Sequence, residues 1–354
     1  MKLLMAARRY PPDVYSGTET VFEALYAAAR ARHEVRLIAG WSRAASLLPP
    51  EAEGVRLSGL SKPAAWLAMS RAISAGVRRF DPDVVLSNSI EVPPTGAPTA
   101  CIVHDLNFGG GGSAAETSWK MRFYALRCRT LDAVITVSQA TARRLTELGV
   151  PSSRVHVIHN GVDTRRFTPR QRAPDGVVRL AYPARILPGK GQHHAIDAVA
   201  RLRRDYKQRV HLTIAGAVGD QAYLDQIRVQ AYNQPVDFAL DLPDLAPVYQ
   251  DADIILFPTV LEEGFGFTAV EGMAAGKPVI WFDQPAIREA TGGIGRPVPR
   301  EDVVGMRAAI MALMDDPAER ARIGAEGRAR CERSLSWDAA WARYEAVLQS
   351  IPRR

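Results

Sequence analysis

The sequence predicts an α/β protein made of two doubly wound domains, and three observations carry that prediction. Short runs rich in Val, Ile and Leu alternate with longer segments of helical character, the pattern of stacked βαβ units around a parallel sheet. The alternation runs through the first half, stops, and starts again after a polar, Pro-rich stretch at 168–176. A length of 354 residues also exceeds what one hydrophobic core organises, so two cores are expected.

In order along the chain, strands are expected near 2–7, 34–39, 84–87, 100–104, 133–137 and 155–158, each run being short and rich in apolar residues. Turn chemistry at Asn160-Gly161 marks the break. Strands then resume near 177–183, 211–215, 236–239, 254–257 and 278–281. The tail, 334–349, reads as an amphipathic helix with apolar positions at Trp337, Ala340, Trp341, Tyr344 and Leu348, and must dock its apolar face on something. The expected organisation is an N-terminal domain at 1–162, a C-terminal domain at 163–333 and a terminal helix at 334–354.

Composition excludes several classes. A hydrophobic content of 47% with 23% charged residues leaves too much apolar material for a disordered chain. Cys101, Cys128 and Cys331 are odd in number and widely spaced, so neither a disulfide framework nor a zinc site is expected, and a reducing cytoplasm fits. The apolar run at the N-terminus is too short for a signal peptide, and no stretch is long enough to span a bilayer. The net charge of +7 suits acidic partners: nucleotide phosphates, an anionic lipid surface or nucleic acid. The arginine pairs are scattered and no basic arm or zinc finger occurs, so nucleic acid is not an expected partner.

Open parallel sheets bind ligands outside the carboxyl ends of their strands, where helix N-termini point unpaired N–H groups. That edge test selects Glu263-Gly264-Phe265-Gly266, which follows the 254–257 strand and opens the helix carrying Phe267, Thr268 and Glu271. The glycines permit close backbone approach to a ligand, and the helix start suits phosphate. Glu271 has the chemistry to accept hydrogen bonds from ribose hydroxyls. Arg185 and Lys190 follow the 177–183 strand, placing two cations at the same edge, where they would stabilise a departing diphosphate. In the first half, His104 follows a strand and Gly17 lies in the loop after the first strand.

These residues resemble the retaining glycosyltransferases of family 4, also called glycosyl transferases group 1, which have the GT-B fold of two Rossmann-like domains facing a cleft. The resemblance rests on two glutamates separated by seven residues, Glu263 and Glu271, continued by Gly272-Met273-Ala274-Ala275-Gly276-Lys277-Pro278-Val279, and on Thr136-Val137-Ser138, Asn160-Gly161-Val162-Asp163 and the Ser336-Trp337 helix. It implies a helix that crosses back to the N-terminal domain. It also implies a sugar nucleotide, UDP- or GDP-linked, as donor, with no cofactor and no metal, and a saccharide, lipid-linked or small-molecule acceptor. By the same resemblance Glu271 holds the ribose, Arg185 and Lys190 the diphosphate, and Glu263 with the 264–267 backbone the transferred sugar, while His104 touches that sugar from the acceptor side. The reaction is then front-face displacement without a protein nucleophile. Where the family commonly has a Gly-Gly pair in its first glycine loop, this chain has Ser16-Gly17.

Two Asp-x-Asp sequences, Asp81-Pro82-Asp83 and Asp251-Ala252-Asp253, precede their strands and fail the edge test for metal. The glycines at 109–112 lack the GxGxxG-to-helix context and read as an acceptor-side loop. The segment 119–129 mixes aromatics and cations at helical spacing, which fits a core-packed helix with snorkelling cations or an interfacial helix on the inner face of a membrane. Rival readings are a sugar-nucleotide epimerase, a phosphorylase, which needs a longer chain, and a non-catalytic sugar-nucleotide binding protein.

Overall fold

The computed structural model describes residues 1–12, 17–90, 92–106, 114–170, 172–173 and 175–353, and the side chains of 114–119 are not described. Ser16 and the glycines at 109–112 lie outside the described residues, as does the side chain of Trp119. The chain forms two compact units, Met1–Gly161 joined by Trp337–Arg354, and Val162–Ser336.

The first unit is built on a seven-stranded sheet. Its strands are β1 (Lys2–Ala7), β2 (Glu34–Trp41), β3 (Glu53–Arg56), β4 (Val84–Ser87), β5 (Thr99–Val103), β6 (Ala133–Thr136) and β7 (Val155–Val157). They lie in the order β3-β2-β1-β4-β5-β6-β7, every pairing parallel. Helices cover the sheet, so β4, β5 and β6 are buried at every position, as parallel strands require. Leu4, Ile38 and Val85 pack with Met69 and Ile73 of the helix Lys62–Phe80. Cys101, Val103 and Val134 pack with Ala125 and Cys128 of the helix Ala114–Cys128. The buried cysteines are thus small core hydrophobes.

The C-terminal helix is Trp337–Ser350, and it packs within the first unit against the helix Gly17–Arg30. Ala340, Trp341, Tyr344 and Leu348 form its buried face, four of the five positions expected from periodicity, while Trp337 is half-buried. It starts three residues later than the sequence suggests, because Ser334 ends the preceding helix Pro317–Ser334. Leu335 and Ser336 form the break. There the Val162 N–H donates to the Leu335 carbonyl at 2.6 Å and Val162 bridges Ser336. Trp337 lies against Gly161, whose missing Cβ would stand 2.6 Å from the indole.

The second unit carries six parallel strands: β8 (Val178–Pro183), β9 (Val210–Gly216), β10 (Val236–Leu240), β11 (Ile254–Phe257), β12 (Val279–Phe282) and β13 (Arg296–Val298), in the order β10-β9-β8-β11-β12-β13. In both sheets the connections run outward in opposite directions from a central pair, β1 and β4 in one, β8 and β11 in the other. Such a switch point opens a crevice beyond the carboxyl ends of the two strands. The outer strands β3 and β13 were not among the sequence expectations. Both are short, and the first is largely exposed, so neither shows the apolar run that marks a buried strand.

Candidate functional site

At the switch point of the second sheet, the chain leaves β8 through Ala184 and Arg185, makes a turn at Pro188–Lys190 and enters the helix Gln192–Ala200. From β11 it runs through 258–266 into the helix Phe267–Ala274. The two loops touch. Gly191 has φ 75, and a Cβ there would stand 2.1 Å from the Pro258 carbonyl, so only glycine permits the approach. The N–H groups of Val260 and Leu261 both donate to the Gly189 carbonyl, at 3.0 and 2.9 Å.

This stitching brings Lys190 and Glu263 together. Lys190 Nζ donates to Glu263 Oε1 at 2.7 Å, and Thr259 Oγ1 donates to the same oxygen at 2.8 Å. Glu263 Oε2 has no partner among the described residues, so one carboxylate oxygen is anchored and the other is available to a ligand. The side chains are 20% and 15% exposed, shielded from bulk water yet open on one side. Gln284, just beyond β12, accepts from the Glu263 N–H at 3.0 Å and donates through Nε2 to the Thr259 carbonyl at 2.8 Å. Sequence reading missed it, although the edge test applied to β12 points there.

Arg185 stands at the same edge and is exposed; its carbonyl accepts from Gln192 Nε2 at 3.0 Å, and its guanidinium has no partner among the described residues. Gly266 caps the helix Phe267–Ala274 with φ 96 and ψ 56, and no side chain caps that start. Gly264 lies in the approach to that cap, and Phe265 is buried with its ring edge-on to Phe267, centroids 5.3 Å apart. The Thr268 hydroxyl donates to the Pro183 carbonyl at 2.9 Å, which ties the helix start to the end of β8 and leaves the hydroxyl oxygen able only to accept.

One turn on, Glu271 Oε2 accepts from the buried Tyr249 hydroxyl at 2.6 Å. Burial raises the Glu271 carboxyl to about 7, against the Tyr249 hydrogen bond and the Arg166 charge, which lower it, although the residue keeps some solvent exposure. Arg166 binds Asp244 at 2.6 Å and lies 5.2 Å from the Phe167 ring, which meets Tyr249 edge-on. Arg166 and Tyr249 were not singled out in the sequence. Their partners lie 78 and 22 residues away, and no local motif signals them.

In the first unit, a cavity of 260 Å³ lies at the β1/β4 switch point, lined by Arg8, Arg9, Glu19, Asn88, His104 and Asp105 among others. Asn88 Nδ2 donates to the Thr18 carbonyl at 3.2 Å, which turns Oδ1 toward His104 Nε2 at 2.7 Å. A carbonyl cannot donate, so the amide has one orientation, the imidazole proton is on Nε2, and Nδ1 keeps its lone pair. Burial pushes the His104 ring down to about 4, so it is neutral at physiological pH. Gly17, the first residue of its helix, is exposed beside Thr18.

The Asp-x-Asp pairs are engaged elsewhere. Asp83 accepts from the Lys2 N–H at 2.8 Å, Asp81 ends its helix in the left-handed region, Asp251 pairs with Arg170 at 2.8 Å and Asp253 with Arg172 at 3.1 Å. The helix Ala114–Cys128 buries Ala125 and Cys128 and exposes Phe123 and Leu126 between the exposed Arg122 and Arg129. Among the described residues no helix is long and apolar enough to cross a membrane.

A family model described as Glycosyltransferase Family 4 matches residues 15–166, and one described as Glycosyl transferases group 1 matches 163–330. A glycogen synthase of Mycobacterium tuberculosis is 30% identical, over 95% of this chain and 92% of that protein. An "MMP alpha-(1->4)-mannosyltransferase" of Mycolicibacterium hassiacum is 29% identical over 84% and 77%. Among solved structures, Anabaena HepE in complex with UDP and glucose aligns with a TM-score of 0.81 at 18% identity, covering 99% of this chain and 100% of that one. Sucrose-phosphate synthase from Thermosynechococcus elongatus gives 0.81 at 17%, covering 99% and 98%.

Proposed function

Since the chain belongs to the glycosyl transferases group 1 and is a glycosyltransferase of the two-domain GT-B fold, we propose that it transfers a hexose from a UDP- or GDP-sugar to a saccharide, lipid-linked or small-molecule acceptor, with retention and without a metal. The observation that carries this is the joined edge of β8 and β11: a shielded cation at Lys190, a carboxylate at Glu263 with one oxygen free, and an uncapped helix start at Gly266. A diphosphate gains negative charge as its bond to the sugar breaks. Lys190, Arg185 and the helix N–H groups answer that charge, each charge-assisted contact contributing about 1.5–3 kcal/mol.

In this reading Glu263 Oε2 and the 264–267 backbone receive the sugar hydroxyls. Glu271, steadied by Tyr249, receives the ribose. His104 is assigned to the acceptor side, where a neutral ring accepts a hydrogen bond through Nδ1. Retention then follows front-face displacement, in which the acceptor enters on the side from which the diphosphate leaves and a phosphate oxygen takes its proton. The UDP in the HepE complex supports a nucleotide donor, and a relative of Corynebacterium glutamicum described as a GDP-mannose-dependent mannosyltransferase, 29% identical over 63% of this chain, supports a GDP-sugar as the alternative. The basic, apolar face at Phe123 and Leu126 suits peripheral contact with the inner membrane surface, which flotation with vesicles containing anionic lipid checks.

The experiment that tests this reading is thermal stabilisation by UDP, GDP and their sugars, followed by NMR of the transfer product. A ligand at 100 times its Kd adds about 2.7 kcal/mol. Stabilisation by one base and an α-linked product from an α-linked donor are expected. An inverted product overturns the mechanism. Binding without turnover against an acceptor panel favours a non-catalytic binding protein, and a product still carrying its nucleotide favours an epimerase.

A further inference from the structure

We propose that Gln284 is a positioning residue for sugar transfer: its buried amide clamps Thr259 to Glu263 within the loop that follows β11 and thereby sets the angle at which the free oxygen of the Glu263 carboxylate meets the sugar. The inference rests on the reading of Glu263 as the sugar contact. Gln284 is 5% exposed and lies two residues beyond the end of β12. Its Oε1 accepts from the Glu263 N–H at 3.0 Å, and its Nε2 donates to the Thr259 carbonyl at 2.8 Å. An N–H can only donate and a carbonyl can only accept, so the amide has a single orientation and cannot flip without losing both bonds.

The ordinary structural use of a polar side chain at this position is absent. Gln284 is the cap residue of the helix Pro285–Thr291, yet its side chain makes no capping bond. It reaches instead to the neighbouring loop, where Thr259, itself fully buried, passes the constraint on by donating to Glu263 Oε1 at 2.8 Å. Backbone and carboxylate of Glu263 are therefore both tied to Thr259, one through Gln284 and one directly. Other ties also hold this loop, from Val260 and Leu261 to Gly189 and from Lys190 to the Glu263 carboxylate, whereas the Glu263 N–H is held by Gln284. Displacement of a contact group by about 1 Å can cost 100-fold in rate, which is the scale a clamp of this kind controls.

The test uses Gln284→Met, which keeps length and loses both hydrogen bonds, and Gln284→Glu, which keeps both only when its carboxyl is protonated. Affinities for UDP, GDP, UDP-glucose and GDP-mannose are measured beside kcat. The expected result for Gln284→Met is a nucleoside diphosphate affinity within about twofold of wild type, loss of the additional affinity that the sugar supplies, and a kcat lower by about 10- to 100-fold. Gln284→Glu should recover toward wild type as pH falls from 8 to 5.5, and this pH profile carries the test if the methionine variant fails to fold. Wild-type kcat and an intact sugar increment in Gln284→Met overturn the clamp, as does an equal loss of diphosphate and sugar affinity. Glu263→Ala separates the two levels. If it leaves the sugar increment intact, the reading of Glu263 fails; if it removes the increment while Gln284→Met does not, only the clamp fails.

Discussion

Lys190 and Glu263, 73 residues apart in sequence, hold each other at 2.7 Å across the loops that follow β8 and β11. The ammonium thus already has an anionic partner, and under the proposed function an arriving diphosphate must take its place beside that carboxylate. Lys190→Ala should lower turnover at least tenfold while the unfolding temperature shifts by only a few degrees. Steady-state kinetics beside a thermal melt check this, and wild-type rates would remove Lys190 from the site.

With Glu271 as the proposed ribose contact, nucleotide affinity should depend on pH. The Glu271 carboxyl is raised from an ordinary 4.5 to about 7, mainly by burial. Ribose hydroxyls donate, so the ionised form is the better partner, and affinity for the nucleoside diphosphate should rise by up to about tenfold from pH 6 to 8. The stability effect has the opposite slope: between pH 4.5 and 7 the folded chain keeps a proton that the unfolded chain releases, so stability falls as pH rises across that window. Glu271→Gln should flatten both curves in calorimetric titration and in denaturant melts. A variant that keeps the wild-type slopes places the titrating group elsewhere.

His104 gives a stability signal of the other sign. Burial lowers its ring to about 4 from an ordinary 6.5, so in that interval the unfolded chain binds a proton that the folded chain refuses. Stability attributable to it is complete above pH 6.5 and declines as pH falls toward 4. The difference in urea midpoint between pH 7 and pH 5 should shrink in His104→Gln, measured against wild type because His156, His193 and His194 are also lowered by burial. Asn88→Ala frees the imidazole tautomer and should reduce kcat with little change in donor affinity.

Gly266→Ala should destabilise the second unit by about 1–3 kcal/mol, since φ 96 is a conformation that side chains rarely adopt and the new Cβ would stand 3.1 Å from Ile287. Chemical denaturation measures it. An unchanged midpoint would mean that the helix start relaxes freely.

Treatment with EDTA should leave transfer rates unchanged, because the proposed stabilisation of the leaving group comes from Lys190, Arg185 and backbone N–H groups. Strong inhibition, restored by a divalent ion, would overturn the metal-independent reading.

The buried strands were legible in the sequence because a parallel strand covered on both faces must be apolar throughout: β1, β4 and β11 occupy the very residues that the runs mark. The edge strands β3 and β13 were not, since Glu53, Gly54 and Pro297 interrupt any such run. At the candidate site the two glutamates and Lys190 stood out through spacing and glycine context. Tyr249, Arg166 and Gln284 did not, because each is recruited by tertiary pairing across tens of residues, and nothing in their immediate neighbours differs from an ordinary helix or turn.

The docking of Trp337–Ser350 within the first unit gives that unit two separate stretches of chain, with all of the second unit threaded between them. In synthesis residues 162–336 precede Trp341 and Tyr344, which cover their share of the first unit's core. The first unit's core therefore depends on chain from both sides of the second, and a truncation before Trp337 would leave the second unit's sequence whole while uncovering the apolar seam that Trp341 and Tyr344 fill beside the helix Gly17–Arg30.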